Sequence, residues 1–305
     1  TYDAIYRLTQ AEGREHRGLY QPANAIQPDY QAFLPQPPSV NNAQALETYT
    51  RTFNYDAAGN LRQIRHQAAN RNFTRNIEIS ETSNRGNLAS NRGTFDPEQD
   101  YDANGNLTRL DHLPAIRWNS LNQLAAVDII QRNNAANDSE YYSYDAGGRR
   151  VRKVYERLVN GTVEIEESIY FGDFEVHRIR RGNQTREAYT TVQVANGNSR
   201  LASLHLWTQR PQNQTFNRQT RYQLSTQQES AAFELDPQGR IITYEEYFPY
   251  GGTALVAGRN QQEVKRKRYR YSGRERDANT HLYYYGARYY ASWLGRWLSP
   301  DPAGA

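Results

Sequence analysis

Apolar and polar positions alternate over short stretches of this chain, as in β-strands with one buried face. After the Tyr55 turn, for example, Leu61, Arg62, Gln63 and Ile64 alternate, although imperfectly. Further stretches that indicate strands lie at residues 117–127, 164–176, 186–194 and 201–208. No window sustains the 3.6-residue period and the end caps of a helix. The pattern therefore predicts a nearly all-β fold.

A recurring Tyr-Asp pair, followed by a turn and a short strand, divides the chain into repeated units. Three clear copies begin at Tyr55, Tyr101 and Tyr144, a looser copy begins at Leu235, and the copy at Tyr2 lacks the glycine. Each copy is typical of a β-hairpin in which Asp accepts hydrogen bonds from turn amides and Gly or Asn takes a positive φ. The drifting spacing of the copies favours a long wound sheet over a strict propeller or solenoid.

Composition narrows the possible classes of protein. The chain of 305 residues has no cysteine, which excludes a disulfide framework and a Cys-ligated metal, and no apolar run approaches the length of a membrane span. The absence of methionine and the mid-pattern start at Thr1 indicate a segment of something longer. A net charge of +4 with scattered basic residues disfavours nucleic acid binding.

A proline-rich stretch at residues 21–46 is predicted to be a loop, either an ordered strap or a mobile one.

The C-terminal stretch, residues 269–305, concentrates side chains that need a scaffold. It holds seven of the 24 tyrosines, two of the four tryptophans and five arginines. Asp277, Arg288 and Asp301 lie among these aromatic residues. Two aspartates in a dry site cannot both ionise, so one could hold a proton while the other activates water, with the arginine orienting a carboxylate. Spacing alone leaves open a purely structural segment in which arginines stack on tyrosines.

Other candidate chemistry is weaker. The six histidines are isolated, no glycine-rich phosphate loop occurs, and no cofactor is predicted. The repeated Asp56, Asp102 and Asp145 are expected to cap turns, because one active site does not need several equivalent carboxylates. The basic run at residues 265–268 is expected to be a solvated face.

Long motifs in the C-terminal stretch resemble the core domain associated with Rhs/YD-repeat proteins. They are YRYSGRERD from Tyr269, LYYYGARYY from Leu282 and LGRWLSPDP from Leu294. Residues 2–8, 144–154 and 244–251 look like the C component of insecticidal Tc toxin complexes, or the C part of a fused B-C protein.

The resemblance implies a hollow shell of spiralling β-hairpins that encloses an unfolded toxic C-terminal region. Residues 1–268 would form the shell segment, and residues 269–305 a core domain that closes it and acts as a single-turnover aspartyl autoprotease. Asp277, Arg288 and Asp301 match the positions expected for cleavage. The implied partners are the B component, through it the A-component translocation channel, and the chain's own toxin as cargo, with no nucleic acid and no direct membrane insertion. Secretion is implied as well.

Two departures from the family pattern concern turns. His281 stands where the family usually has glycine, which predicts a different backbone angle because a non-glycine residue at positive φ is disfavoured. The glycine-rich hairpin common in relatives is missing around residues 224–232. An alternative function is a cell-surface adhesion module without catalysis, which would bind glycans through a solvent-facing ladder of Tyr55, Tyr101 and Tyr144.

Overall fold

The computed structural model describes residues 1–17, 43–88, 95–196 and 199–303, and its strands pair antiparallel in three sheets. Nearly all of the proline-rich stretch at residues 21–46 lies outside these ranges. The first sheet contains β1 (Gln10–His16), β2 (Leu46–Tyr55), β3 (Leu61–Ala68), β4 (Asn72–Ile79) and β5 (Gly86–Leu88).

The second sheet has twelve strands, ordered in space as they follow one another in sequence. They are β6 (Ala115–Trp118), β7 (Leu124–Ile130), β8 (Asp138–Tyr144), β9 (Arg150–Val159), β10 (Thr162–Phe171), β11 (Phe174–Arg181), β12 (Gln184–Asn196), β13 (Ser199–Gln209), β14 (Arg218–Ser225), β15 (Ala231–Leu235), β16 (Ile241–Tyr247) and β17 (Thr253–Gly258). The third sheet contains β18 (Glu275–Arg276), β19 (Tyr283–Tyr284), β20 (Tyr289–Ala291) and β21 (Arg296–Trp297).

Helical structure in the described ranges is limited to short segments. They are α1 (Pro97–Asp100), α2 (Gln261–Arg266) and 3-10 turns at Ala43–Ala45, Pro249–Gly251 and Tyr271–Gly273. The prediction of a nearly all-β chain built from antiparallel hairpins is confirmed.

The Tyr-Asp turns have the hydrogen bonds predicted for them. In the first clear copy the Asp56 carboxylate accepts from the backbone amide of Asn60 at 2.8 Å, and Gly59 takes a φ of +88°. The copy that lacks glycine keeps the same geometry, because Asp3 accepts from the amide of Arg7 and Tyr6 takes a φ of +62°. Tyr6 therefore adopts a left-handed backbone that L-residues disfavour.

Around β10 and β11 the large sheet buries polar side chains on one face. In β11, Glu175 and His177 are buried, whereas Phe174 and Val176 on the opposite side are 52% and 37% exposed. The antiparallel register places Ser168 across from His177, so polar positions align on one face over neighbouring strands. We call this the inner face, because the chain around residues 266–283 packs against it. Buried polar groups must find hydrogen-bonding or charged partners, so the inner face is a network of ion pairs.

A hydrophobic core joins the beginning and the end of the chain. It contains Phe53 and Ile64 from the first sheet, Leu113 from the segment that follows it, and Trp293 and Leu298 from the C-terminal stretch. Trp293 has no exposed surface. This core fixes the C-terminal stretch against the rest of the molecule.

Candidate active site

A tight turn between β18 and β19 positions Asp277. The Asp277 backbone N–H donates to the carbonyl of Leu282 at 2.9 Å, and the Asp277 carbonyl accepts from the amide of His281 at 2.8 Å. His281 takes a φ of +62°, so the turn keeps the left-handed angle that glycine would favour. The expectation of a different angle at His281 is therefore wrong: the closed turn imposes its backbone conformation on the histidine.

Two cations from β9 hold the carboxylate of Asp277. Arg150 Nη1 donates to Oδ2 at 2.8 Å, and Lys153 Nζ donates to Oδ1 at 2.6 Å. Asp277 has no exposed surface, and Arg150 is 5% exposed. Both oxygens of the carboxylate are thus paired with cations inside the protein, which offsets part of the cost of burying the group.

Glu275 extends this arrangement into a larger buried network. Arg150 Nη2 donates to Glu275 Oε2 at 2.5 Å, Lys153 lies 3.3 Å from Oε1, and Arg268 pairs with the same carboxylate. Burial raises the pKa of Glu275, but the three cations outweigh it, and the pKa lies well below its usual range. We call Arg150, Lys153, Glu275 and Asp277 the buried ionic cluster.

Glu140 on β8 borders the buried ionic cluster but has neutral hydrogen-bonding partners. Tyr142 Oη donates to Oε1 at 2.8 Å, and Asn279 Nδ2 donates to Oε2 at 2.9 Å. Burial raises the pKa of Glu140 to about 7, with Asp277 adding to the effect and Lys153 opposing it. A carboxyl group in this range can gain or lose a proton near neutral pH.

Arg288 and Asp301 form a separate pair. Arg288 Nη2 lies 2.8 Å from Asp301 Oδ2, and its guanidinium stacks 4.3 Å from the ring centroid of Trp297. Asp301 also accepts a hydrogen bond from the backbone amide of Ala303 at 3.1 Å. The Asp301 side chain is 48% exposed.

The three candidate residues, Asp277, Arg288 and Asp301, therefore lie in two separate parts of the structure. Asp277 lines a cavity of about 590 Å³ against the inner face, whereas Arg288 and Asp301 line another cavity beside Tyr101 and Tyr250. The structure pairs Arg288 with Asp301 and pairs Asp277 with cations from β9. The assignment of all three to cleavage stays a prediction.

Sequence reasoning did not single out Glu140, Arg150, Lys153 or Glu275. One available signal was the two-residue spacing of Glu275 and Asp277, which places two carboxylates on one face of an extended segment. The cations that meet them come from β9, more than 120 residues earlier in the chain. Spacing within a motif does not reveal such a partner.

The basic run at residues 265–268 is not the solvated face that its sequence suggested. Lys267 is 1% exposed and donates to the carbonyl of Ala231 at 2.6 Å, while Arg266 pairs with Glu187 at 2.9 Å. Arg268 reaches Glu175 and Glu275. The expectation is wrong because the run packs against the carboxylates of the inner face; Lys265 is exposed.

Two negative observations apply to the residues that the structure describes. They contain no group of three or more His, Asp or Glu side chains arranged to hold a metal ion. None of the helices in the described ranges has the length and apolarity to span a membrane.

The fold and the site define a class of protein: an open antiparallel β-meander whose polar inner face is covered by its own C-terminal segment. No protein-family model matches the chain. Among curated proteins, toxin subunit YenC1 of Yersinia entomophaga is 38% identical over 99% of this chain, and YenC2 of the same organism is 37% identical over 99%. The chain spans 30% and 31% of the lengths of these two relatives.

Solved structures of Tc toxin proteins also match this chain. The crystal structure of TcdB2–TccC3 matches the whole chain with a TM-score of 0.90 at 37% identity, and the chain covers 14% of that structure's chain. The Photorhabdus luminescens Tc holotoxin pore matches with a TM-score of 0.89 at 36% identity. The chain is a homologue of Tc toxin components.

Proposed function

We propose that this chain is the part of a Tc toxin C component, or of a fused B-C protein, that helps to enclose an unfolded toxic region and to release it by autoproteolysis. The observation that carries this proposal is the match of the whole chain to TcdB2–TccC3 at a TM-score of 0.90. In this assignment residues 1–268 form a shell segment, and residues 269–305 form the core domain that closes it. The protein would be secreted.

The polar inner face supports a role in enclosure. A wall around an unfolded cargo should offer little apolar surface to it, because apolar contacts would drive collapse of the cargo against the wall. Where the cavity of about 590 Å³ borders the inner face, charged side chains line it, among them Glu164, Glu166 and Glu187. Glu164 pairs with Arg157 and Arg181 of the neighbouring strands, and Glu187 pairs with Arg266 of α2.

The proposed partners are the B component and, through it, the A-component translocation channel. The relatives support this, since one matched structure contains TcdB2 together with TccC3 and another is a Tc holotoxin pore. Exposed apolar side chains of the large sheet, such as Phe171 at 83% exposure, leave surface for further protein contacts. The remaining partner in the proposal is the chain's own toxic region.

The proposed cleavage uses Asp277, Arg288 and Asp301. An aspartyl protease needs two carboxyl groups that share one proton at a site shielded from water, and the burial of Asp277 meets the second condition. Since Asp277 and Asp301 line different cavities, the cleavage reaction requires the segment around Asp301 to move toward Asp277 or requires another carboxyl group beside Asp277.

The alternative of a glycan-binding adhesion module lacks its expected surface. The hydroxyl of Tyr55 donates to the carbonyl of Leu8 at 2.8 Å, that of Tyr101 to Gly86 at 2.8 Å, and that of Tyr144 to Leu124 at 2.8 Å. Each ring is partly buried and packs against the hydrophobic core. These tyrosines do not form an exposed ladder.

Two experiments test the proposal. Mass spectrometry of the full-length protein should find one cut beyond residue 304, and Asp277→Asn or Asp301→Asn should each leave the protein uncut. Normal cleavage in both variants would contradict the protease assignment.

Limited proteolysis tests whether the protein encloses the toxic region. The protease should spare that region when the protein is assembled with its B component and digest it when B is absent. Equal digestion in both samples contradicts enclosure.

A further inference from the structure

Lys153 is the cation that connects Asp277 to the cavity beside it. Its Nζ donates to Asp277 Oδ1 at 2.6 Å and to Glu275 Oε1 at 3.3 Å. Its side chain is 12% exposed and lines the cavity of about 590 Å³. Arg150 contacts the same two carboxylates, but its side chain is almost completely buried and does not line this cavity. Lys153 is therefore the cation of the buried ionic cluster that a molecule in the cavity can reach.

The ammonium group of Lys153 retains one hydrogen for a further acceptor. An ammonium group has three N–H donors. Two of them serve Asp277 and Glu275, and no third acceptor in the described part of the chain takes a hydrogen bond from Nζ. Burial lowers the pKa of Lys153, but the neighbouring anionic groups, Asp277 first among them, outweigh burial and the pKa lies above its usual value. The group therefore stays charged at neutral pH and can offer one N–H to a molecule in the cavity.

The position of Lys153 on a central strand fixes this ammonium group. In the antiparallel register Lys153 lies between Tyr142 of β8 and Ser168 of β10, and both of these neighbours are buried. A functional group on a paired strand is held more precisely than one on a loop. The N–H that Lys153 offers to the cavity is thus held in place beside Asp277.

We infer that Lys153 is a further catalytic residue, whose ammonium group binds the carbonyl oxygen of the peptide bond that is cut. This inference rests on the proposed autoproteolysis and leaves Asp277 and Asp301 in the roles proposed for them. A donor aimed at the carbonyl oxygen stabilises the negative charge that develops there when water attacks. Because Lys153 contacts Asp277 as well, it also brings the attacked carbon close to a water molecule bound by that carboxyl group.

The step balances with the two proposed aspartates and one water molecule. The water oxygen forms a bond to the carbonyl carbon and gives a proton to the ionised aspartate of the pair. The carbonyl oxygen becomes negatively charged, and the third N–H of Lys153 donates a hydrogen bond to it. When this oxygen regains its double bond, the carbon–nitrogen bond breaks and the leaving nitrogen takes the proton of the other aspartate. Lys153 keeps its three hydrogens throughout, so no other reactant is needed.

The test compares the cleavage rates of full-length variants, which mass spectrometry follows from the start of synthesis in a cell-free translation reaction. Lys153→Met keeps the length of the side chain but removes the charge and the donors, so we expect cleavage to be about 100-fold slower. The matched control is Arg186→Met, which removes an exposed cation that lines the same cavity and should cleave at the normal rate. A normal rate in folded Lys153→Met overturns the inference.

A second comparison separates catalysis from charge balance. Lys153→Met leaves the carboxylates of Asp277 and Glu275 with one cation fewer, which by itself can disturb the buried ionic cluster. The Glu275→Gln background removes one carboxylate as well and so restores the balance of charge. In that background Lys153→Met should still slow cleavage about 100-fold relative to Glu275→Gln alone. Equal rates of these two variants would overturn the inference, and this comparison decides if Lys153→Met alone does not fold.

The outcomes also separate this inference from the autoproteolysis on which it rests. If Asp277→Asn and Asp301→Asn block cleavage while folded Lys153→Met cleaves at the normal rate, autoproteolysis stands and Lys153 has no part in it. If both aspartate variants cleave normally, autoproteolysis fails, and the catalytic role of Lys153 fails with it.

Discussion

Arg288 and Asp301 lie 2.8 Å apart in an ion pair whose aspartate is half exposed, while Asp277 is completely buried between two cations. Replacement by asparagine should therefore lower the free energy of unfolding by different amounts at Asp301 and at Asp277. Solvent screens an exposed pair, and the loss of one partner leaves no buried charge behind.

Asp301→Asn should lower the free energy of unfolding by less than about 1 kcal/mol, because its partner Arg288 can be solvated and still stacks on Trp297. Chemical denaturation at pH 7 measures this change. A matched comparison is Arg288→Gln, which should have a similarly small effect. A loss of several kcal/mol in either variant would mean that the pair is shielded from solvent.

Arg150→Met should lower the free energy of unfolding by about 3–5 kcal/mol, because it leaves two buried carboxylates with fewer cations. Those carboxylates are Asp277 and Glu275, which Arg150 reaches at 2.8 and 2.5 Å. The matched control is Arg149→Met at the neighbouring, exposed position, where we expect a change within about 0.5 kcal/mol. Equal effects of the two substitutions would contradict the importance of the buried ionic cluster.

Glu140→Gln should stabilise the protein at neutral pH and have little effect below pH 4.5. The raised folded-state pKa, about 7 against 4.5, means that the folded protein holds a proton that the unfolded chain releases. The stability of the wild type therefore falls as the pH rises from 4.5 to about 7, and the glutamine variant lacks this decline. Denaturant titrations at pH 4, 5.5 and 7 measure the difference. A constant difference across this range would show that Glu140 does not hold a proton.

The buried histidines predict a loss of stability at acid pH. Burial, followed by the charge of Arg221, holds the pKa of His205 well below its usual 6.5. The unfolded chain binds a proton at this histidine below pH 6.5 and the folded protein does not, so stability falls as the pH decreases. The loss is about 1.4 kcal/mol per pH unit for such a group.

His205→Phe should reduce the decline at acid pH. Its ring stacks on Tyr189 at a centroid distance of 5.3 Å and lies 5.6 Å from the tilted ring of Trp207, and a phenyl ring can occupy the same place. Thermal unfolding between pH 7 and 4.5 provides the comparison. His16→Phe provides a comparison, because burial also lowers the pKa of that partly buried histidine and its effect should have the same sign. An unchanged decline in the His205 variant would contradict its burial in the neutral form.

Tyr6→Gly should raise the free energy of unfolding by about 0.5–1 kcal/mol. Tyr6 has a φ of +62° and is 88% exposed, so glycine removes backbone strain and loses little packing. Gly59→Ala at the equivalent turn, where no atom lies within 4 Å of an added Cβ, should destabilise by about 1 kcal/mol. Effects of the opposite sign would mean that the turn does not require this backbone angle.

Local features of the fold were predictable from the sequence, because their causes are local. Asp56 and Gly59 form a hairpin turn through contacts within four residues, and the alternating pattern around Leu61 reports a buried face. The polarity of β11 reverses the usual rule, and nothing in the strand itself shows that Glu175 faces the protein and Phe174 faces solvent.

The candidate site was predictable only in part. The motifs that resemble the Rhs core domain point to Asp277, but its partners Arg150 and Lys153 lie 127 and 124 residues earlier. A charge run such as residues 265–268 looks solvated in isolation, because its carboxylate partners come from distant strands. The fold brings these groups together, and the sequence pattern does not specify which of them meet.

The consecutive strand order of the large sheet has a consequence for biosynthesis. Each of its strands bonds to the one made just before it, so the sheet can grow step by step as the ribosome delivers the chain. The Asp277 turn is made after the whole sheet and then contacts β8 and β9. The inner face would thus remain open to water until the last part of this segment is synthesised, and any proton chemistry at Asp277 would start only after the wall around it is complete.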